Sequence, residues 1–410
     1  MEATERLVAA GRDHYLIFSP ARIGRLYLPN RLVRSATWDP SILGDRALND
    51  DVRQVYRRVA AGGVGLIITG DFSVVPPGTL DEGGDDRAFS YDDVRIADYG
   101  DLVEIVHAAG TGCKIIAQIS ADYPGVAPSA VPSPYTTELD RPLSAGEIGT
   151  IVNCFVETIA GLQAEGFDGV QLHAAHGGLL SRFVSPYTNR RQDRYGGPAA
   201  SRARIIAEIV AGARQRVGDF PILIKLNGTD YLPGGTDLDS LPELAQEIER
   251  AGVDAMEISG GMWECLVRSQ EELGFRPVPS AESQTRLRHP ARQSYFLPYA
   301  ERLSLSIPVI LVGGNRDVER LEAILRRGSV DLIALCRPLI SEPDLPQRWR
   351  QGRGSSVTDC ISCNSCLYDM YTRLERGEPG IATCLVKQDL GRVKEAGRWL
   401  RTWVKENASQ

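Results

Sequence analysis

The sequence predicts an α/β fold, a (β/α)8 TIM barrel with a short C-terminal cysteine-containing extension, and three observations carry this. A helix-like stretch, a glycine and an apolar run of four to six residues recur along the chain. Eight runs rich in Val, Ile and Leu read as strands buried on both faces, as in a parallel sheet covered by helices. The last two of these runs end in residues suited to a phosphate, which is where a barrel of this kind binds one. An open doubly wound sheet is the competing arrangement. Its dinucleotide-binding form opens with G-x-G-x-x-G after the first strand, and Thr37-Trp38-Asp39-Pro40 stands there instead.

The elements follow in order. Leu32–Ala36 is the first strand. A helix pattern over Asp50–Ala61, apolar at every third or fourth position, leads through Gly62 and Gly63 to a strand at Leu66–Thr69. Asp92–Ala109 and Gly110 precede Lys114–Ile119, and Ser144–Glu165 and Gly166 precede Val170–His173. Ser201–Val217 with Gly218 leads to Ile222–Leu226, and Leu241–Ala251 with Gly252 to Ala255–Ser259. Val309–Val312 is the seventh strand; Asp317–Arg327 and Gly328 then lead to the eighth, Leu332–Leu335. Each glycine fits the left-handed position that closes a helix before the chain turns into a strand.

Composition bounds the function. The 410 residues are 43% hydrophobic and 24% charged, an ordinary globular balance. It suits a barrel over 18–355 between an N-terminal segment, 1–17, and an extension, 356–410. A net charge of −7 offers no basic face, so nucleic acid is not an expected partner; a small molecule is. No apolar run approaches ~20 residues and the N-terminus has no cleavable apolar leader, so neither membrane nor export is expected. In a cytoplasmic protein the eight cysteines are thiols or ligands rather than a disulfide frame.

The stretch Gly169–Gly197 is where chemistry is expected. Its strand ends abruptly in His173 and His176, two of the five histidines in the chain. Polar side chains at the carboxyl edge of a parallel sheet are where such enzymes place their active groups. Taken alone, H-x-x-H also describes two packed histidines; a metal pair is disfavoured, because the Glu of H-E-x-x-H and a nearby third ligand are missing. Strand seven ends in Gly313-Gly314-Asn315 and strand eight in Cys336-Arg337-Pro338. Glycines let backbone N–H groups approach a phosphate and an arginine adds a charge-assisted fork, although the two glycines by themselves would equally serve a tight turn.

These residues, together with LPNRLVRSAT (28–37), GGVGLIITG (62–70), IIAQIS (115–120), LHAAHGGLLSRFVSPYTNRRQDRYGG (172–197), LIKLNGTD (223–230), QSYFLPYAERL (293–303), VILVGGNRD (309–317) and LIALCRPLI (332–340), resemble the Old Yellow Enzyme family of FMN-dependent oxidoreductases. The likeness runs from about Phe18 to Trp349 and is nearest to the branch of the 2,4-dienoyl-CoA reductase and trimethylamine dehydrogenase barrels. It implies FMN across the barrel mouth, with NAD(P)H as hydride donor. Gln118 would meet the pyrimidine edge, Lys225 the N1–O2 side, and Ser35, Ala36, Thr37 and Gly70 the ring from strands one and two. Gly313, Gly314, Cys336 and Arg337 would surround the phosphate. His173 and His176 would hold the oxygen of an activated alkene, typically an enone, while hydride reaches its β-carbon.

Two departures fall in the substrate half. Gly178 stands where the family usually has a proton-donating tyrosine, leaving solvent, Tyr123 or Tyr187 as the acid, or a reaction other than alkene reduction. After Gln118, the usual histidine-containing run is replaced by Ala121-Asp122-Tyr123-Pro124-Gly125, and Trp38 stands where a small residue is usual. An oxidative dehydrogenase, demethylase or desaturating enzyme, a flavin-binding protein without catalysis and a flavin-free lyase or isomerase therefore stay open. In the extension, Cys360, Cys363 and Cys366 followed by Cys384 suit a [4Fe–4S] cluster better than zinc, or are free thiols. Only some 26 residues follow Cys384, so no second nucleotide-binding domain is expected within the chain, and a cluster would require a separate redox partner. The amphipathic tail Val393–Glu406, with Trp399, Leu400 and Trp403, offers a face for the barrel or for a second subunit.

Overall fold

The computed structural model describes residues 11–37, 50–74, 99–121, 123, 125–134, 138–274, 284–285, 287–378 and 380–407. All eight expected strands are present: β1 Leu32–Arg34, β2 Leu66–Ser73, β3 Lys114–Ser120, β4 Val170–Ala174, β5 Ile222–Asn227, β6 Ala255–Ser259, β7 Val309–Leu311 and β8 Leu332–Leu335. They pair in chain order, every pair parallel, and β8 returns to β1 to close the barrel.

Because side chains alternate along a strand, each run supplies two cores. Outward residues such as Ile67, Ile115, Leu172, Ile224 and Ile258 pack under the surrounding helices. Inward residues Val33, Leu66, Ile68, Ile116, Leu223, Ala255, Ile310, Leu332 and Ala334 fill the barrel with an apolar plug. A hairpin, Ala21–Ile23 with Leu26–Leu28, seals the same cluster through Ile23, Leu26 and Leu28. This continuous apolar fill makes the barrel a packed core rather than a channel, and leaves its carboxyl end for chemistry.

The helices fall close to their expected places: α1 Asp50–Ala61, α2 Gly100–His107, α3 Ala145–Ala164, α4 Arg204–Val217, α5 Leu241–Arg250 and α6 Val318–Arg326. The first half of the pattern expected over Asp92–Ala109 lies outside the described residues, as do Trp38, Asp39, Pro40, Asp122 and Pro124. α3 begins in a capping box, Ser144 Oγ accepting from Glu147 N while Glu147 accepts from Ser144 N, an arrangement worth about 1 kcal/mol. The helix expected from Ser201 divides, a short turn Ala199–Arg202 preceding α4. Of the glycine pair after α1, only Gly63 is left-handed (φ 89°); Gly62 instead lies so close to Pro343 that a Cβ would fall 1.9 Å from its carbonyl oxygen.

The stretch NRRQDRYGG proves to be scaffold. Arg191 Nη1 donates to Pro128 O (2.8 Å) and Leu143 O (2.6 Å), and Arg190 N donates to Ser129 Oγ (2.8 Å). Arg182 forms a buried ion pair with Asp140 at 2.6 Å, and Arg268 Nη2 donates to Ser133 O (2.8 Å). Arginines from three places in the chain thus clamp the loop that follows β3 over the barrel mouth.

Beyond β8, Thr358 and Asp359 N bond Glu342, and Arg316 Nη1 donates to Ser362 Oγ (2.9 Å), fastening the extension to the barrel. The tail forms a helix, Leu390–Asn407, that packs on the helix Ser365–Glu375; the Trp399 ring meets Tyr368 at 5.5 Å and Tyr371 at 5.6 Å. Arg392 reaches the buried Asp369 at 2.7 Å. The side chains of Leu400 and Trp403 lie outside the described residues.

Candidate active site

Above the apolar plug the inward positions turn polar. Ser35, Gln118, Gln171, Lys225 and Glu257 are each 4% exposed or less and form one hydrogen-bonded row. Gln118 Nε2 donates to Gln171 Oε1 (2.7 Å) and Gln171 Nε2 to Glu257 Oε2 (2.8 Å). Ser35 Oγ donates to Glu257 Oε1 (2.6 Å) and accepts from Lys225 Nζ (3.1 Å). The Lys225 ammonium lies 3.6 Å from the Glu257 carboxylate, so the buried cation is paired. Sequence reasoning found Ser35, Gln118 and Lys225 but missed Gln171 and Glu257. Their signal was a polar residue on the inward phase of an otherwise apolar strand.

His173 stands near the end of β4 beside Lys225 on β5, its register partner. The backbone N–H of Ala175 faces His173 Nδ1 at 3.4 Å. His176 is 8% exposed, and its ring meets that of His173 edge-on, centroids 5.1 Å apart. It holds φ at 64°, an uncommon value for a residue with a Cβ, with its N–H on Asn227 Oδ1 (3.1 Å) and Nε2 2.7 Å from Ser259 Oγ. The structure therefore brings the two histidines together but commits His176 Nε2 to Ser259. Tyr231 (φ 57°) and Ser294 (φ 51°), also outside the regular strands, share this strained backbone. Asn227, Ser259 and Asp230 were not foreseen from sequence.

Gly178 begins the short helix Leu179–Val184 with φ −60° and ψ 166°, values any residue adopts. Of the two substitute acids, Tyr123 gives its hydroxyl to Val74 O. Tyr187 is half-buried, and burial and then the nearby Glu264 raise its hydroxyl above the ordinary range.

At the other rim, Gly70 lies where β2 shifts register against β3 between Ile68 and Asp71, and Thr69 Oγ1, beside it, accepts from Gln118 N (3.2 Å). Thr37 Oγ1 lies 3.3 Å from Cys336 Sγ, joining the ends of β1 and β8; Ala36 stands between Ser35 and Thr37 and packs against the barrel's inner cluster. Gly313 (φ 100°) and Gly314 (φ 72°) do make a tight turn, closed against Tyr295 and Phe296. Arg337 Nη1 donates to Gln284 O (2.8 Å) and to Asn364 Oδ1, so this guanidinium also ties the extension to the rim.

An amide, a fixed ammonium and the end of β1, all converging on one wall, match the donors and acceptors that the pyrimidine edge of FMN requires, and these residues fit that cofactor. The cysteines differ. Cys363 Sγ lies 3.0 Å from Ser365 Oγ, Cys384 Sγ lies 3.5 Å from Ser341 Oγ, and burial pushes the Cys366 thiol up to about 12. Among the described residues no group of three His, Cys, Asp or Glu side chains is arranged to hold a metal ion, although Cys360 and Cys363 lie near enough to Cys366 to add to the rise of its thiol. No described helix is long and apolar enough to cross a membrane.

Comparison with known proteins gives a consistent answer. A family model described as NADH:flavin oxidoreductase / NADH oxidase matches residues 16–356. A metal reductase of Desulforamulus reducens is 32% identical over 396 residues, covering 93% of this chain and 54% of that protein. The chain therefore spans about half the length of that relative. A 4,4'-dithiodibutanoate disulfide reductase of Rhodococcus erythropolis is 31% identical over 386 residues, 87% of this chain and 93% of the relative. In fold, the chain is similar to a 2-naphthoyl-CoA reductase structure, with a TM-score of 0.74 at 24% identity over 92% of this chain and 58% of that one.

Proposed function

The chain belongs to the NADH:flavin oxidoreductase / NADH oxidase family, and on that basis we propose that it is an FMN-dependent oxidoreductase that takes hydride from NAD(P)H and delivers it to an activated alkene of the enone type. The observation that carries the substrate class is the His173–His176 pair beside Lys225. When bound, FMN would supply a ring that accepts hydride from one molecule and returns it to a second.

The residues of the chain do the rest. Gln118, Lys225 and the end of β1 at Ser35, Ala36 and Thr37 would hold the ring, with Gly70 at the bend of β2; Gly313, Gly314, Cys336 and Arg337 would border the phosphate. Lys225 places a fixed positive charge where negative charge gathers on reduction, and Glu257 keeps that ammonium oriented. His173 would donate a hydrogen bond to the substrate oxygen. His176, pinned by Ser259, braces the His173 ring and lines the same oxygen site. A donor at that oxygen would stabilise the enolate-like charge that develops as the β-carbon gains hydride.

A second reading has one observation in its favour. Gly178 offers no proton to the α-carbon, which suits removal of hydride from an amine or saturated carbonyl. Cys360, Cys363, Cys366 and Cys384 would serve this second reading if they held a [4Fe–4S] cluster served by a separate redox partner. Replacing His173 and His176 together with alanine tests the main reading. The expected result is loss of phenol charge-transfer binding and enone turnover with FMN retained; loss of FMN instead would show that the pair serves the cofactor.

A further inference from the structure

We propose that Asp230 is a positioning residue for the substrate-binding imidazoles, acting through Asn227. The inference rests on the reading that His173 and His176 hold the substrate oxygen. Asp230 lies beyond β5 and is 1% exposed, yet donors meet it on every side. Asn227 Nδ2 donates to Oδ1 (2.9 Å), and Ser185 Oγ and Thr236 N donate to Oδ2 (both 2.7 Å). Burial pushes this carboxyl up from its ordinary range, while those hydrogen bonds pull against it.

An acceptor held so firmly fixes which way Asn227 faces. With Nδ2 turned to Asp230 and to Gly261 O (3.1 Å), Oδ1 has to point the opposite way, and there it accepts the His176 N–H (3.1 Å). Turned over, Asn227 would set an NH2 group against that N–H. The contact matters because His176 sits at φ 64°, a conformation that persists only where its surroundings over-determine it. Ser259 holds the ring of His176 and Asn227 holds its backbone; His173 then packs edge-on against that ring. A carboxylate that never touches substrate thereby sets the donor that does.

The test exploits hydrogen-bond polarity. Asp230→Asn places an amide NH2 against Asn227 Nδ2, and any turn of Asn227 to relieve this mispairs it with His176. Adding Asn227→Asp restores an acceptor toward position 230 and toward the His176 N–H, at the cost of the donor that Asn227 gives Gly261 O. Affinity for 4-chlorophenol, read by charge-transfer absorbance of the FMN-loaded protein, should fall at least about tenfold in Asp230→Asn and recover measurably in the double variant. In flavin-free protein, the 15N imidazole signals of His176 should shift in the single variant and return in the double. Ser185→Ala, which removes one of the two donors on Asp230 Oδ2 but leaves the link to Asn227, should weaken phenol affinity less than Asp230→Asn. If Asp230→Asn does not fold, Asn227→Ser breaks the same link and should give the same loss.

Unchanged phenol affinity in a folded link-breaking variant, or a double variant no better than the single, overturns the proposal. Phenol binding that survives loss of both histidines overturns the underlying reading instead. Loss with the histidine pair but none with Asp230→Asn sinks this inference alone.

Discussion

His173 and Lys225 are register partners on adjacent parallel strands, one near the end of β4 and the other within β5. Register partners on parallel strands face the same side, so the half-buried imidazole and the buried ammonium look into the same space. Lys225 pairs in turn with Glu257 on β6. On the proposed reading, one strand would supply the group for the substrate oxygen and the next the cation for the reduced cofactor.

Ser259→Ala removes the bond to His176 Nε2. A hydrogen bond of this kind is worth about 0.5–1.5 kcal/mol net, so phenol affinity should weaken roughly two- to tenfold while FMN content is unchanged. Titration by charge-transfer absorbance measures it, and wild-type affinity would show that the bond does not orient the ring.

Gly313→Ala should lower stability by roughly 1–3 kcal/mol. The residue holds φ at 100°, and a Cβ would fall 2.6 Å from Phe296 Cδ2 and 2.7 Å from Tyr295 Cε2. Gly218→Ala is the comparison, since φ is again positive but nothing lies within 4 Å. Thermal unfolding should place the Gly313 variant clearly below the Gly218 one; equal melting points would contradict the packing argument.

Gly178→Tyr adds a side chain on a backbone that accepts one. If the α-carbon proton limits turnover, the variant should speed reoxidation of reduced flavin by a cyclic enone in stopped flow and reduce the solvent isotope effect. An unchanged rate would remove the proton as the limiting step.

Glu264→Gln should stabilise the fold, and more so as pH rises. Burial raises the Glu264 carboxyl above its ordinary value, so its contribution to stability is present below the unfolded-state pKa and lost as pH climbs through the folded one. The gain in melting temperature over wild type should thus be larger at pH 8 than at pH 5. A gain independent of pH would mean Glu264 is not carrying that cost.

The barrel was legible because its signals are local. Lys114–Ser120 and Ile222–Asn227 announce themselves as apolar runs, and the residue that reverses the chain before each, Gly110 or Gly218, has the positive φ expected of it. Gly62 misled because close approach to Pro343 and a left-handed turn both select glycine. The buried row was half legible. Gln118 and Lys225 drew attention through family likeness, whereas Glu257 looked like one more residue of an apolar strand until barrel closure turned it toward Lys225. Asp230 and Ser259 carried no local signal, since their meaning is a partner dozens of residues away in the chain. NRRQDRYGG was the clearest motif, and the side chain of its Arg191 clamps a loop.

The most direct measurement is the visible spectrum of anaerobically purified protein as NADPH or NADH, and then a cyclic enone, are added. Flavin bands that bleach with the nicotinamide and return with the enone are the predicted result. Flavin bands that never bleach would contradict the hydride cycle and favour the oxidative reading, and a broad absorbance beneath them would assign the four cysteines to iron and sulfur after all.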